Sequence, residues 1–177
     1  YTMTDAAFSA SSVTLDMGDT GTIAFGHDSA HGGIDTIKDK MPTAGEEVWD
    51  DIGSGDDAGV TDVGADPSLY YSLNMSGMTV SASYARMGVG TDNSIVLIAN
   101  DLVDNASFCI GSGTNVASNT SEDDMTTAWA TYTTGPITMG AQLSEIDKTA
   151  ANSDVDREHA AISFAVNENL SVSYGIS

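Results

Sequence analysis

Carboxylates gather in one stretch of this chain. Asp28, Asp35, Asp39, Glu46, Glu47, Asp50, Asp51, Asp56, Asp57, Asp62 and Asp66 face only two cations there, Lys38 and Lys40. At its start His27, His31 and Asp35 fall at i, i+4 and i+8. On a helix that spacing would present two imidazoles and a carboxylate to a metal. Gly32-Gly33 interrupts any helix at that point, and no His-Glu-x-x-His motif occurs, so a metal enzyme is disfavoured. Further on, GSGDDAGVTDVGAD has the Asp and Gly density of a calcium loop without the EF-hand spacing and its closing Glu. Calcium could bind Asp56, Asp57 or Asp62, although a solvated acidic turn is the commoner outcome for such a sequence. No G-x-S-x-G is present, and the scattered serines support no Ser-His-Asp arrangement. The residues therefore indicate neither a catalytic centre nor a resident cofactor. What crowded carboxylates do collectively is electrostatic: they focus a negative potential and concentrate cations.

The whole chain shares this bias. It has 177 residues, 26 acidic and 5 basic, for a formal charge of −21. Phosphate binding needs Lys and Arg clusters that are absent here, which disfavours nucleic acid. Docking onto anionic lipid through a polybasic face is disfavoured on the same ground. Eight Met, six Tyr, four Phe and two Trp, with regular apolar alternation, argue for a folded chain and against acidic disorder. Cys109 is the single cysteine, which excludes an intrachain disulfide and a multi-Cys zinc site. No apolar run reaches helix-spanning length. The chain opens with YTMTDAAFSAS and not with a basic, then apolar leader, as expected of a mature or internal portion.

The acidic stretch, 28–66, shows no sustained helical or strand period, and a segment of that length is either disordered or a functional loop. Period-two segments bracket it. Val13, Leu15 and Met17 alternate with Ser12, Thr14 and Asp16, and after Gly18-Asp19-Thr20-Gly21 the pattern resumes through Ile23 and Phe25. Leu69, Tyr71, Leu73 and Met75 oppose Ser68, Tyr70, Ser72 and Asn74. Ser76-Gly77 is a two-residue hairpin turn. Met78, Val80, Ala82 and Tyr84 then oppose Thr79, Ser81, Ser83 and Ala85. Residues 88–124 read as a second long connection containing the apolar run SIVLIA, and within it Ser94 to Val103 is an extra strand, a loop helix or a subunit contact. Residues 125–132 suggest a strand whose faces are blurred by Trp129. Ile137, Met139, Ala141 and Leu143 oppose Thr138, Gly140, Gln142 and Ser144. A medium loop, 145–157, precedes two more alternating segments, 160–166 and 170–176.

About eight strands are therefore expected in an all-β, antiparallel, single-domain chain, 1–177. Nearly all have one apolar face and one face of Ser, Thr, Gly, Ala and Gln. A soluble sandwich has the same period but a charged outer face. Apolar-out, small-polar-in strands are the pattern of a transmembrane β-barrel with a water-filled lumen. Thr79, Ser81, Ser83, Gln142 and Ser144 would then line the lumen. Arg86 shares parity with Met78 and Tyr84, which places it at the outer rim beside lipopolysaccharide phosphates. Connections that run short, long, short, long, short, medium, short fit the middle of a longer barrel chain, with turns on the periplasmic side and loops outside.

The stretch GTIAFGHDSAHGGIDTIKDKMPTAGEE, followed by PSLYYSLNMSGMTVSASYA, resembles the general diffusion porins of Gram-negative outer membranes. The resemblance covers about Ser9 to Arg86; beyond that only the strand spacing agrees. In that family a hairpin ends in Gly and a basic residue, and the chain then folds into the barrel as a constriction loop. Gly26 matches the Gly, and His27 stands where the family usually has Arg. Asp35 matches an acidic residue after the first turn of the loop, and Asp39 and Pro42 match an Asp and a Pro near the constriction. Thr43 stands where Glu is usual, and Glu46 and Glu47 would substitute. The resemblance thus implies a constriction formed by His27, Asp35, Asp39, Glu46, Glu47, Asp50 and Asp51. It also implies sixteen strands and a homotrimer in the bacterial outer membrane. The preceding strand offers Ser9, Ser11 and Ser12 in place of a luminal Arg, which leaves the basic half of the constriction thin.

The expectation is a cation-preferring channel for passive diffusion of small hydrophilic solutes, embedded in outer-membrane lipid and lipopolysaccharide. Its alternative from another class is a secreted or surface-layer β-rich protein with a structural or adhesive role. That alternative would share the acidity and the short strands without needing an uncharged small-residue face.

Overall fold

In a computed structural model the described residues are 11–27, 33–38, 40–44, 68–86, 90–118, 121–149 and 154–177. They form ten strands: β1 (Ser11–Asp16), β2 (Thr22–His27), β3 (Ser68–Met75), β4 (Met78–Arg86), β5 (Thr91–Val103), β6 (Ala106–Ser118), β7 (Ser121–Thr134), β8 (Ile137–Lys148), β9 (Val155–Asn167) and β10 (Leu170–Ile176). All lie in a single sheet in chain order, and every neighbouring pair is antiparallel. The fold is all-β, as the alternation requires.

The expected second long connection, 88–124, is corrected: it folds into β5 and β6, joined by Asp104-Asn105. Two features of its sequence conceal these strands. In SIVLIA both faces are apolar, because Val96 and Ile98 point to one side and Ile95 and Leu97 to the other. In GSGTN the glycines and Asn resemble loop punctuation, yet Gly111 and Gly113 sit in mid-strand opposite Thr127 and Met125. The medium loop expected over 145–157 shrinks to 149–154, because β8 and β9 extend into it. The strand count thereby rises from eight to ten. One end of the sheet keeps tight turns, at 76–77, 104–105, 135–136 and 168–169. Left-handed φ at Ser76 and Gly77 (43° and 84°) gives the first of these the twist a hairpin needs. At the other end the connections are 28–67, 87–90, 119–120 and 149–154, so only one is long.

The two faces of the sheet differ sharply. One presents Val13, Leu15, Phe25, Ile95, Ile110, Leu143, Val172 and Tyr174 to the surroundings, with Val13 70% and Tyr174 69% exposed. Register puts them in continuous rows, as in Val13–Phe25–Leu69–Tyr84 and Met139–Ile162–Tyr174. The other face carries Ser81, Ser83, Asp92, Ser94, Thr127, Gln142, Ser144 and His159, all buried. Polar groups are inside and apolar groups outside, the reverse of a water-soluble sheet. β5 to β9 have 12–14 residues each, longer than the 9–11 or so that a tilted strand needs to cross a bilayer.

Candidate functional site

A piece of the long 28–67 connection folds back onto the polar face, over β5 to β8. Residues Ile34–Ile37 make one 3₁₀ turn, closed by the Thr36 amide and hydroxyl, both donating to the Gly33 carbonyl at 3.2 and 2.6 Å. Ile34 and Ile37 are fully buried and Met41 nearly so. The sheet answers with an apolar island in its otherwise polar face: Val96, Cys109, Met125 and Ile146, with Ile98, Trp129 and Val155 packed at the margin. Cys109 acts here as a small apolar filler.

Glycines make room for the turn. A Cβ on Gly111 would meet Ile37 Cδ1 at 2.6 Å, and one on Gly113 would lie 3.3 Å from Ile34 Cγ2. A Cβ on Gly140 would meet Pro42 Cδ at 2.6 Å. A polar clamp adds direction. Gln142, fully buried, donates from Nε2 to the Ile37 carbonyl at 3.3 Å and to Thr127 Oγ1 at 3.2 Å. Thr127 Oγ1 in turn shares a 2.7 Å hydrogen bond with Ser144 Oγ. Fully burying a side chain the size of Ile or Met is worth about 1.5–3 kcal/mol. Three such side chains hold the segment by several kcal/mol, so it rests on the sheet as a fixed element and not as a flapping lid.

All five residues expected on the small polar side share the face on which the turn rests, since Thr79 pairs with Ile98, Ser81 with Val96 and Ser83 with Ser94. Gln142 lies under the segment itself, and Ser144 is tied to its partner Thr127; Ser83 and Ser94, 2.6 Å apart through their hydroxyls, lie toward β4. Thr79 sits near the tight-turn end and donates to Asn74 Oδ1 at 2.6 Å. His27 ends β2 opposite Ser11, and Asp35 belongs to the 3₁₀ turn. Asp39, Glu46, Glu47, Asp50 and Asp51 lie outside the described residues, as do Asp56, Asp57 and Asp62. Arg86 is exposed at the end of β4, paired with Thr91 on the apolar side, where parity puts it. Among the described residues, no three of His, Cys, Asp and Glu are grouped to hold a metal ion.

Two inner-face residues escaped the sequence reading. Arg157 lies opposite Ser144, and His159 opposite Gln142, so β9 adds basic side chains to the polar face. The signal was present in the parity of 157, 159, 161 and 163, but assigning 145–157 to a loop hid its beginning. At the same end Asp123 faces Lys148 across β7 and β8. Asp92, 1% exposed, accepts from the Val116 amide at 2.8 Å and from Asn115 Nδ2 at 3.4 Å, which ties β5 to β6 there.

No protein-family model and no curated protein matches the sequence. Among solved structures, the chain is similar to OmpT (in-vitro folded), an outer membrane protein of Vibrio cholerae, with 14% identity and a TM-score of 0.48. The alignment covers 85% of this chain and 52% of that one, so this chain spans about half the length of that protein.

Proposed function

We propose that this chain is part of an outer-membrane β-barrel whose water-filled lumen is narrowed by the docked 33–44 segment. In this reading it passes small hydrophilic solutes and prefers cations. The observation that carries it is the inverted polarity of the sheet. An exposed face of Val, Leu, Ile, Phe and Tyr rows is expensive in water and suited to lipid. The opposite face, polar yet roofed by a segment of the same chain, suits a lumen with an inward-folded loop. On β8 the outward positions run Ile137, Met139, Ala141, Leu143 and then Glu145 and Asp147. The apolar band therefore ends near Leu143, and the strands continue beyond the bilayer with acidic outward positions. Carboxylates of the long connection and of this rim supply the negative potential that attracts cations.

Sixteen strands, a homotrimer and contact with lipopolysaccharide belong to the same proposal and rest on the porin resemblance. So does the assignment of Asp35, Asp39, Glu46, Glu47, Asp50 and Asp51 to the constriction; His27, the seventh residue of that set, holds a register position on β2 of the same parity as Phe25 on the apolar side. The deciding experiment is reconstitution into a planar bilayer with a salt gradient, after detergent extraction and a test of heat-modifiable migration. Discrete conductance with a reversal potential of cationic sign is expected. A protein soluble without detergent and silent in the bilayer would return the secreted β-protein to first place.

A further inference from the structure

We infer that Gly111 and Gly113 on β6 and Gly140 on β8 are positioning residues: they form a seat that fixes the 33–44 segment on the inner face and so sets the passage beside it. The second half of that statement rests on the channel reading; the seat itself does not. Its steric basis is direct at Gly111 and Gly140, where a methyl group would strike Ile37 at 2.6 Å and Pro42 at 2.6 Å; at Gly113 it would first meet the Asn93 carbonyl at 2.9 Å and Ser94 Cβ at 3.0 Å on β5, and then crowd Ile34 at 3.3 Å. Neither Gly111 nor Gly140 has a left-handed φ, so backbone conformation does not require glycine at either place. A glycine in a strand interior weakens the strand and marks a close approach of another piece of chain. Two of them alternate in β6 along the same face, under the two fully buried isoleucines of a single turn. Gln142, beside the seat, adds the hydrogen bond to the Ile37 carbonyl that fixes the rotation of the turn.

The test uses Trp129, which packs against the island under the turn. Trp49 is the other tryptophan, and a Trp49→Phe background leaves Trp129 as sole emitter. In that background the folded protein, reconstituted in lipid, is compared as parent, Gly111→Ala, Ile34→Ala, and Gly111→Ala with Ile37→Val. Ser112→Ala, an outward-facing neighbour on the same strand, is the control. Gly111→Ala and Ile34→Ala should red-shift the emission and change the single-channel conductance, while Ser112→Ala does neither. Ile37→Val removes the Cδ1 atom that the new methyl meets, so the double variant should return both readouts toward the parent. Ile34→Ala leaves the strands untouched and keeps the test decisive if Gly111→Ala fails to fold. Unchanged emission in both single variants, or no recovery in the double variant, overturns the seat. Shifted emission with unchanged conductance overturns its control of the passage. A parent that does not conduct overturns the channel reading, and the emission then still decides the seat.

Discussion

Trp129 on β7 lies directly opposite Gln142 on β8, and both side chains retain a buried polar atom without a hydrogen-bond partner: the indole Nε1 and the amide Oε1. One is a donor and the other an acceptor, and an orphaned buried group costs about 1–3 kcal/mol. Trp129→Phe keeps most of the ring and deletes the orphan donor, so it should be close to neutral or slightly stabilising. Gln142→Ala loses the clamp on Ile37 and Thr127 and should destabilise by about 1–3 kcal/mol. Urea unfolding of the lipid-reconstituted protein checks both. Equal losses for the two variants would contradict this account of the pair.

A lipid-facing sheet makes a depth-dependent prediction. An Arg on the lipid side costs about 2–4 kcal/mol at the bilayer midplane and about 0–1 kcal/mol near an interface. Ala141 is an outward residue within the apolar band, whereas Thr126 is outward opposite Glu145, at the acidic rim. Ala141→Arg should therefore destabilise the protein in liposomes by about 2–4 kcal/mol and Thr126→Arg by less than about 1 kcal/mol. In a soluble sheet both positions would be solvated and the two changes would weigh alike.

How much of this was legible beforehand depends on what each residue had to do. Gln142 and Leu143 declare their faces by parity alone, because β8 meets the docked segment through Gly140 and Gln142 and adds a single apolar inner residue, Ile146, at its far end. β5 and β6 do not: their inner face must be apolar at Val96 and empty at Gly111 and Gly113 to receive Ile34 and Ile37. That contact erases the apolar–polar alternation on which a strand is recognised. Trp129, which blurred the period of β7, turned inward for the same reason. The docking of the loop and the obscurity of the strands beneath it have one cause, a long-range contact that no local pattern encodes. The carboxylates assigned to the constriction from Asp39 onward, and the calcium candidates, lie outside the described residues and stay expectations.

The acidic rim should make stability depend on salt. Asp124 lies opposite Asp147, and Glu145 opposite Asp156, on the outward face. Like charges directly across a ladder destabilise it by up to about 1 kcal/mol per pair. Screening shortens the reach of that repulsion to about 10 Å at 0.1 M salt and about 3 Å at 1 M. Thermal unfolding in detergent should thus shift upward as sodium chloride is raised. Asp156→Asn should raise the midpoint at low salt and flatten its salt dependence. A midpoint independent of salt would place these carboxylates too far apart to interact.

Arg157 is an inner-face cation against which the acidic loop must be weighed. It is half-buried on β9 opposite Ser144, one residue pair from Gln142 and the docked turn. In a lumen it would attract anions and offset part of the negative potential of the loop. Arg157→Gln keeps a long polar side chain while deleting the charge. Under a salt gradient it should move the reversal potential further in the cationic direction, with conductance little changed at high salt, where fixed charges are screened. A shift in the anionic direction would mean that Arg157 serves to hold carboxylates in place and that their field, not its own, governs selectivity.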